Sequence, residues 1–395
     1  MADAFDFHAL SVQTVKLASH YGRSKTDVTL AITLTLLLRS VGAAGFGLAG
    51  DRWGRKWPMV ANMLVLGALQ VATIYCDTYI QFLGVRSLFA TGGLMSGILQ
   101  QGYSLGYVLA AGANLGVGDG HGSWKTVFWI GAGFSITIGL LRALLPNPNP
   151  PKHQSQTATS FWRTTKRMLR KECKMCTYCI LLMTWFNYYS HVSQDSYTTF
   201  MLTQKQLDNA AASRASIVMK AGACVGGCIL GHVSQTLGRR RTIVMAALAS
   251  GFMIPAWILP KGERALSATG FLMQFFVQGA WGVIPVHLNE LSPDAFRATF
   301  PGVTYQIGNM LASPAAQMVN AVAERIFITV EGGHMVEAYG PVLGVSTAIV
   351  VIAIVITVAF GPERHGRSFG LETDDVREEA DDESKRTVVV SEIQR

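Results

Sequence analysis

Long apolar runs alternate with short polar or basic segments along the whole chain, at residues 27–50, 58–76, 126–146, 176–203, 214–236, 242–260, 265–289, 299–323 and 339–361. A run of roughly 20 apolar residues is what crosses a hydrocarbon core about 30 Å thick as a helix, because a helix satisfies its backbone groups internally. The pattern predicts an all-α, multi-spanning membrane protein. Two regions fit less simply. Residues 1–20 read as the later part of a helix, since Asp3, Asp6 and His8 would otherwise lie deep in the membrane. The run 80–118 would extend about 58 Å as one helix, and the Gly92-Gly93 break within it suits a partial or re-entrant segment better than a full span.

Basic clusters set the expected sidedness, because short loops rich in Lys and Arg stay in the cytoplasm. They occur at Arg52–Lys56, along the loop Asn147–Lys174, at Arg239–Arg241, and in the tail that begins Arg364, His365, Arg367. The chain must cross an even number of times between the first two clusters, so 80–118 has to supply two crossings. The expected organisation is an incomplete N-terminal helical bundle (1–146), a basic cytoplasmic linker opening Asn-Pro-Asn-Pro-Pro (147–174), a six-helix C-terminal bundle (175–361), and a disordered cytoplasmic tail (362–395).

Composition agrees with this picture: of 395 residues half are hydrophobic and only 15% are charged. The net charge of +8 comes from clusters beside apolar runs, which are topology markers rather than a nucleic-acid surface. Six cysteines fall mostly within or beside apolar runs, and Cys173, Cys176 and Cys179 lack the second CxxC pair or histidine cluster of a zinc site. No Walker loop, metal-ligand set or nucleophile triad is present, so neither an enzyme nor a cofactor is expected.

Polar residues inside the apolar runs carry the functional signal. Asn187, Ser190, His191, Gln194, Asp195 and Thr198 fall within about 140° of one helix face. Such a stripe has to line a wet cavity or a partner helix, and His191 with Asp195 at i, i+4 can share a proton. Gln306, Asn309, Ser313, Gln317 and Asn320 make a narrow row along 299–323, while Gln274, Gln278 and Trp281 make a weaker one. Neutral amides can hold a carboxylate or hydroxyl without trapping it, although polar groups also join membrane helices. Arg39 lies near the middle of the run 27–50, where an unpaired arginine costs roughly 2.5–3.5 kcal/mol, so it needs an anion. A substrate carboxylate and a fixed ion pair with Asp3, Asp6 or another acid are both open to it. Lys220 is a further intramembrane cation of open role.

The segments Gly47-Leu-Ala-Gly-Asp51-Arg52-Trp-Gly54-Arg55-Lys56 and Gly231-His-Val-Ser-Gln235-Thr-Leu-Gly238-Arg239-Arg240-Arg241 end two runs in corresponding positions, so the halves are related. They resemble the loop motif of the major facilitator superfamily, with Gln235 in place of the acid in the second copy. Gly361-Pro-Glu363-Arg364-His-Gly366-Arg367 resembles that superfamily's terminal charge cluster. The stretch Asn187 to Thr199 is similar to the signature of the fungal Jen-type carboxylate:proton symporters. That likeness extends through Gln278-Gly-Ala-Trp281 to Pro293 and on to Phe296-Arg297-Ala-Thr-Phe-Pro301-Gly302.

The resemblance implies a two-bundle carrier, nominally of 12 helices, that symports short-chain mono- and dicarboxylates of the lactate or pyruvate type with protons across a plasma membrane. It would use the proton gradient, work as a monomer and have its C-terminus in the cytoplasm. It implies substrate contacts at Arg39, Asn187, His191, Gln306 and Asn309, proton coupling at His191 and Asp195, and gating at Asp51, Arg52, Arg55, Glu290 and Arg297. The resemblance implies a complete first helix and a longer fourth helix, so both are expected to be shortened here. The rival readings are a carrier of sugars or larger organic acids, and a truncated remnant or sensor that does not transport. Arg39→Ala is expected to abolish acid recognition, measured as uptake of a labelled carboxylate by cells expressing the variant at equal surface level; retained uptake would assign Arg39 to a structural ion pair.

Overall fold

The computed structural model describes residues 2–38, 56–89, 100–118, 123–146, 158–293, 300–329 and 333–363. Met1–Glu363 forms one compact unit. The first half contains α1 (Ala2–Tyr21), α2 (25–38), α3 (Lys56–Ile74), α4 (Tyr79–Leu88), α5 (Gln100–Val117) and α6 (Ser123–Leu144). A connecting helix α7 (Ala158–Lys171) leads to the second half: α8 (Cys173–Gln194), α9 (Tyr197–Thr203), α10 (Asn209–Leu237), α11 (Arg239–Ile258), α12 (Glu263–Leu291), α13 (Phe300–Ala312), α14 (Ala315–Ala323) and α15 (Tyr339–Ala359). Among the described residues the regular structure is helical apart from one antiparallel hairpin, β1 (Phe327–Thr329) paired with β2 (Met335–Glu337).

Among the described residues, five helices are long and apolar enough to cross a membrane: α6, α10, α11, α12 and α15. Large apolar side chains such as Ile80, Leu144, Phe252 and Phe360 point outward, whereas Gln274, Ser250 and Thr347 are fully buried. Apolar outside and polar inside is the distribution that lipid demands.

Four expectations are refined. The run 176–203 is two helices, because the chain turns at Asp195-Ser196 before α9 begins. Ser, Gln and Asp side chains offer the backbone alternatives to the helix ladder, and the Asp195 carbonyl accepts a bond from Ser11 Oγ at 2.6 Å. The run 299–323 is also two helices, divided at Ser313-Pro314, since proline lacks the N–H that an unbroken helix needs and restricts the residue before it. The linker is not simply a loop, for α7 buries Thr165 and Met168 and exposes Arg163, Lys166, Arg167, Arg170 and Lys171. The irregular region 80–118 resolves into the ten-residue α4 and the eighteen-residue α5, with 90–99 outside the described residues. Thr78 and Gln81 cap α4 reciprocally, which fixes where that short helix starts.

Glycine sets the closest contacts. A Cβ on Gly222 would lie 2.2 Å from the Phe271 carbonyl oxygen, and one on Gly226 would lie 2.0 Å from that of Phe275. These positions on α10 let its backbone meet α12 directly, the small-residue packing that joins helices in membranes. Gly238 links α10 to α11 at φ +96°, a left-handed conformation that favours glycine and explains its place in the repeated loop. Gly226→Leu is expected to destabilise the α10–α12 contact by about 1–3 kcal/mol, the usual cost of overpacking, seen as a lower melting temperature of the detergent-solubilised protein. An unchanged melting temperature would show that the helices can separate freely.

Candidate functional site

The row that runs along α8 into α9 is buried at the centre of the helix packing. Asn187, Ser190, His191, Gln194, Asp195 and Thr198 are each at most 6% exposed, so the sequence stripe faces protein rather than lipid. His191 Nδ1 and Asp195 Oδ2 are 2.7 Å apart, while Asp195 Oδ1 has no hydrogen-bond partner. Gln194 donates to Ser190 Oγ at 2.7 Å and accepts from the Lys220 ammonium of α10. Asn187 donates to the Met183 carbonyl of its own helix at 2.7 Å.

The weaker α12 row joins the same layer. Gln274 Nε2 donates to Ser193 Oγ at 3.1 Å and its carbonyl at 3.3 Å, and Gln278 Nε2 reaches Ser190 Oγ at 3.5 Å. Trp281 packs edge-on to Phe186 with ring centroids 5.5 Å apart. Asn309 is buried beside Gly308, where a Cβ would lie 2.6 Å from Met183 Cβ, and Gln306 is half-buried one turn earlier. The interruption at Pro314 divides the α13–α14 row, and its upper members serve packing: Asn320 bonds Ser196 Oγ at 3.1 Å and Tyr339 Oη at 2.8 Å.

The first half closes over this layer. Tyr107 Oη of α5 meets Thr198 Oγ1 at 2.9 Å, and the Lys220 ammonium lies 4.4 Å from the centre of the Tyr107 ring. Phe7 of α1 lies 5.8 Å from the His191 ring, and His8 packs on Tyr107 at 4.7 Å. Asn114 of α5 donates to Ser213 of α10 at 2.9 Å. Asp6 is not left alone in the membrane, because Arg86 Nη1 bonds both its carboxylate oxygens at 3.0 and 3.1 Å. Phe89 and Phe128 enclose that guanidinium at 4.4 and 4.7 Å. Arg39, for which an ion pair with Asp6 is one of the open readings, lies outside the described residues.

Of the expected gating residues, Asp51, Arg52, Arg55 and Arg297 also lie outside the described residues. Glu290 is buried on α12 and receives Arg239 of α11, with Nη2–Oε1 at 3.1 Å and Nε–Oε1 at 3.2 Å. This bond lies within the second half, so it joins α11 to α12 rather than half to half.

Sequence reasoning missed the tie at the opposite end of the molecule. Glu324, just after α14, accepts Lys25 N at 2.7 Å and Thr26 Oγ1 at 2.6 Å from the start of α2, and Lys25 also pairs with Glu337 of β2. Beneath it Thr33 donates to Gln317 at 3.2 Å. A cavity of about 510 Å³ opens beside this tie, lined by Val15, Ser19, Arg23, Lys25, Glu324 and Glu337. The only prior signal was the presence of lone acids and a lysine at helix ends far from the basic loops.

Comparison with known proteins supports a carrier fold. The family model described as Major Facilitator Superfamily matches residues 90–317. A "Carboxylic acid transporter protein homolog" of Saccharomyces cerevisiae is 30% identical, with 93% of this chain and 67% of that protein covered. A "Probable 4-methylmuconolactone transporter" of Cupriavidus pinatubonensis is 21% identical, with 82% and 81% covered. A crystal structure of a D-xylose-proton symporter superposes with TM-score 0.71 at 13% identity, covering 93% of this chain and 97% of that one.

If the Lys25–Glu324–Glu337 tie holds the two halves together, Glu324→Gln with Glu337→Gln should expose the layer beneath. In a background with the native cysteines replaced, Thr33→Cys is expected to react with a maleimide several-fold faster in the double variant. Equal labelling rates would show that the tie carries no closing force.

Proposed function

The chain belongs to the major facilitator superfamily, and on that premise we propose that it carries small carboxylates together with protons across the plasma membrane by alternating access. The observation that carries this reading is the buried layer in which the His191–Asp195 pair sits beside Lys220 and the amides of Gln194, Gln274 and Gln278. An anion needs donors and compensating charge, and a proton needs a titratable pair; both lie in one layer between the halves.

In this reading the basic loops face the cytoplasm, as does the C-terminal tail, and the Lys25–Glu324–Glu337 tie closes the outer face. Asn187, His191, Gln306 and Asn309 contact the acid, with Arg39 as a further anchor, while His191 and Asp195 take the proton. Asp51, Arg52, Arg55 and Arg297 act at the inner face, and Arg239–Glu290 steadies it. The proton gradient is the energy source and no cofactor takes part. A single chain suffices, because its two halves supply both walls of the site.

The kinship to the yeast protein named as a carboxylic acid transporter homolog supports acids over sugars. Cells expressing the chain are expected to accumulate labelled lactate or pyruvate at acidic external pH and to stop when a protonophore is added. Surface expression without uptake of either acid would overturn the reading in favour of the non-transporting alternative, and uptake of xylose instead would favour the sugar alternative. His191→Ala and Asp195→Ala are expected to flatten the pH dependence of acid uptake; an unchanged profile in both would remove the proton from that pair.

A further inference from the structure

We propose that Lys220 is the link between the two cargoes: its ammonium serves Asp195 while that carboxylate is ionised, and serves the carboxylate of the bound acid once a proton occupies the His191–Asp195 pair. The proposal rests on the carboxylate reading above and assigns it a mechanism.

Lys220 is fully buried on α10, at the level where the first half meets the second. An ammonium offers three donors, and its hydrogen bond here is to Gln194 Oε1, with the Tyr107 ring beside it. Gln194 and a ring face are weak compensation for a desolvated cation, which calls for an anion. The acid whose charge reaches it is Asp195, next in the chain after Gln194. Asp195 commits only Oδ2, to His191, and leaves Oδ1 without a partner. The two half-satisfied charges are therefore linked through Gln194, which bonds Lys220 and precedes Asp195 in the chain.

Among the described residues, the other ionisable groups around Lys220 are these. Tyr107 of α5 faces it, with His8 of α1 packed against that ring; Cys224 lies one turn along α10; and His191 stands behind Asp195. At this level α12 offers Gln274 and Gln278, and Tyr197 of α9 turns its hydroxyl to the Trp257 carbonyl at 3.4 Å.

Charge bookkeeping then fixes the order of events. With Asp195 ionised, Lys220 charged and His191 neutral, the layer carries no net charge, and an acid anion alone would leave an uncompensated negative charge in a low-dielectric site. When a proton from water enters the His191–Asp195 pair, the negative charge of Asp195 is cancelled and Lys220 is left as the counter-ion for the incoming carboxylate. Loss of that proton to the other side restores Asp195 as competitor and expels the acid. No covalent bond other than that of the transferred proton is made or broken.

The test uses the full chain in liposomes loaded with pyruvate, following exchange of labelled pyruvate at several pH values, with the amount of folded protein checked by size exclusion. Wild-type exchange is expected to rise on acidification. Lys220→Met should lower it about 30-fold or more, the loss typical of removing one member of a buried charge pair, whereas Lys220→Arg should keep the acid-dependent rise at a lower rate. Asp195→Asn releases the lysine permanently, so its exchange should lose the dependence on pH. Should Lys220→Met fold poorly, Lys220→Met with Asp195→Asn removes both charges together and should recover folded protein while remaining inactive. Wild-type exchange by Lys220→Met or by the double variant, or an unaltered pH slope in Asp195→Asn, would overturn the proposal and leave the carboxylate reading intact. A wild-type chain that exchanges neither pyruvate nor lactate would overturn both.

Discussion

A polar side chain taken out of water has to find a partner, and in a membrane protein lipid supplies none. This constraint organises the molecule from the first helix to the last. Asp6 finds Arg86, Gln13 finds Asn114, Tyr189 finds Ser250, and Asn320 finds both Ser196 and Tyr339. Each such bond joins two different elements, so the polar residues that make the apolar runs look imperfect are what select one arrangement of helices among many. Apolar matching alone would not discriminate, because lipid chains are as apolar as leucine.

Against that background the His191–Asp195–Gln194–Lys220 layer gathers two charged side chains and an imidazole in one place. The buried pair Arg239–Glu290 is bonded through several donors; here Lys220 bonds Gln194 and the neighbouring Asp195 bonds His191, each with bonding capacity left over. Such incomplete satisfaction is costly in a static core and useful where a ligand completes it. The discontinuity between α8 and α9 belongs to the same logic. It turns the Asp195 carbonyl toward Ser11 of the opposite half, so the backbone that carries the acid is also bonded across the molecule.

Much of this was legible beforehand, and the reasons are physical. The α8 row could be found because helical period is a local property, readable from residues 187–198 alone. The division at Pro314 was missed, because apolar length suggested one helix over 299–323, although proline at that position forbids a continuous one. The division at Asp195-Ser196 was missed for a different reason, because no residue there breaks a helix by itself; the turn is stabilised by Ser11, far away in sequence. The Glu324 tie to Lys25 and Thr26 was invisible for the same reason: exposed charges at helix ends are common, and only the fold shows which of them meet. The pairing of Asp6 with Arg86 could likewise be named only once α1 and α4 had been placed.

The glycine contacts between α10 and α12 bear on how such a molecule can move. With backbone against backbone at Gly222, Gly226 and Gly282, there is no layer of side chains to shear between these two helices. They must travel as a single stiff plank, so that Lys220 on one and Gln274 and Gln278 on the other keep fixed spacing through any motion. Whatever rearranges during a working cycle has to be the seam where that plank meets α5 and α8, which is where Tyr107 and Gln194 stand.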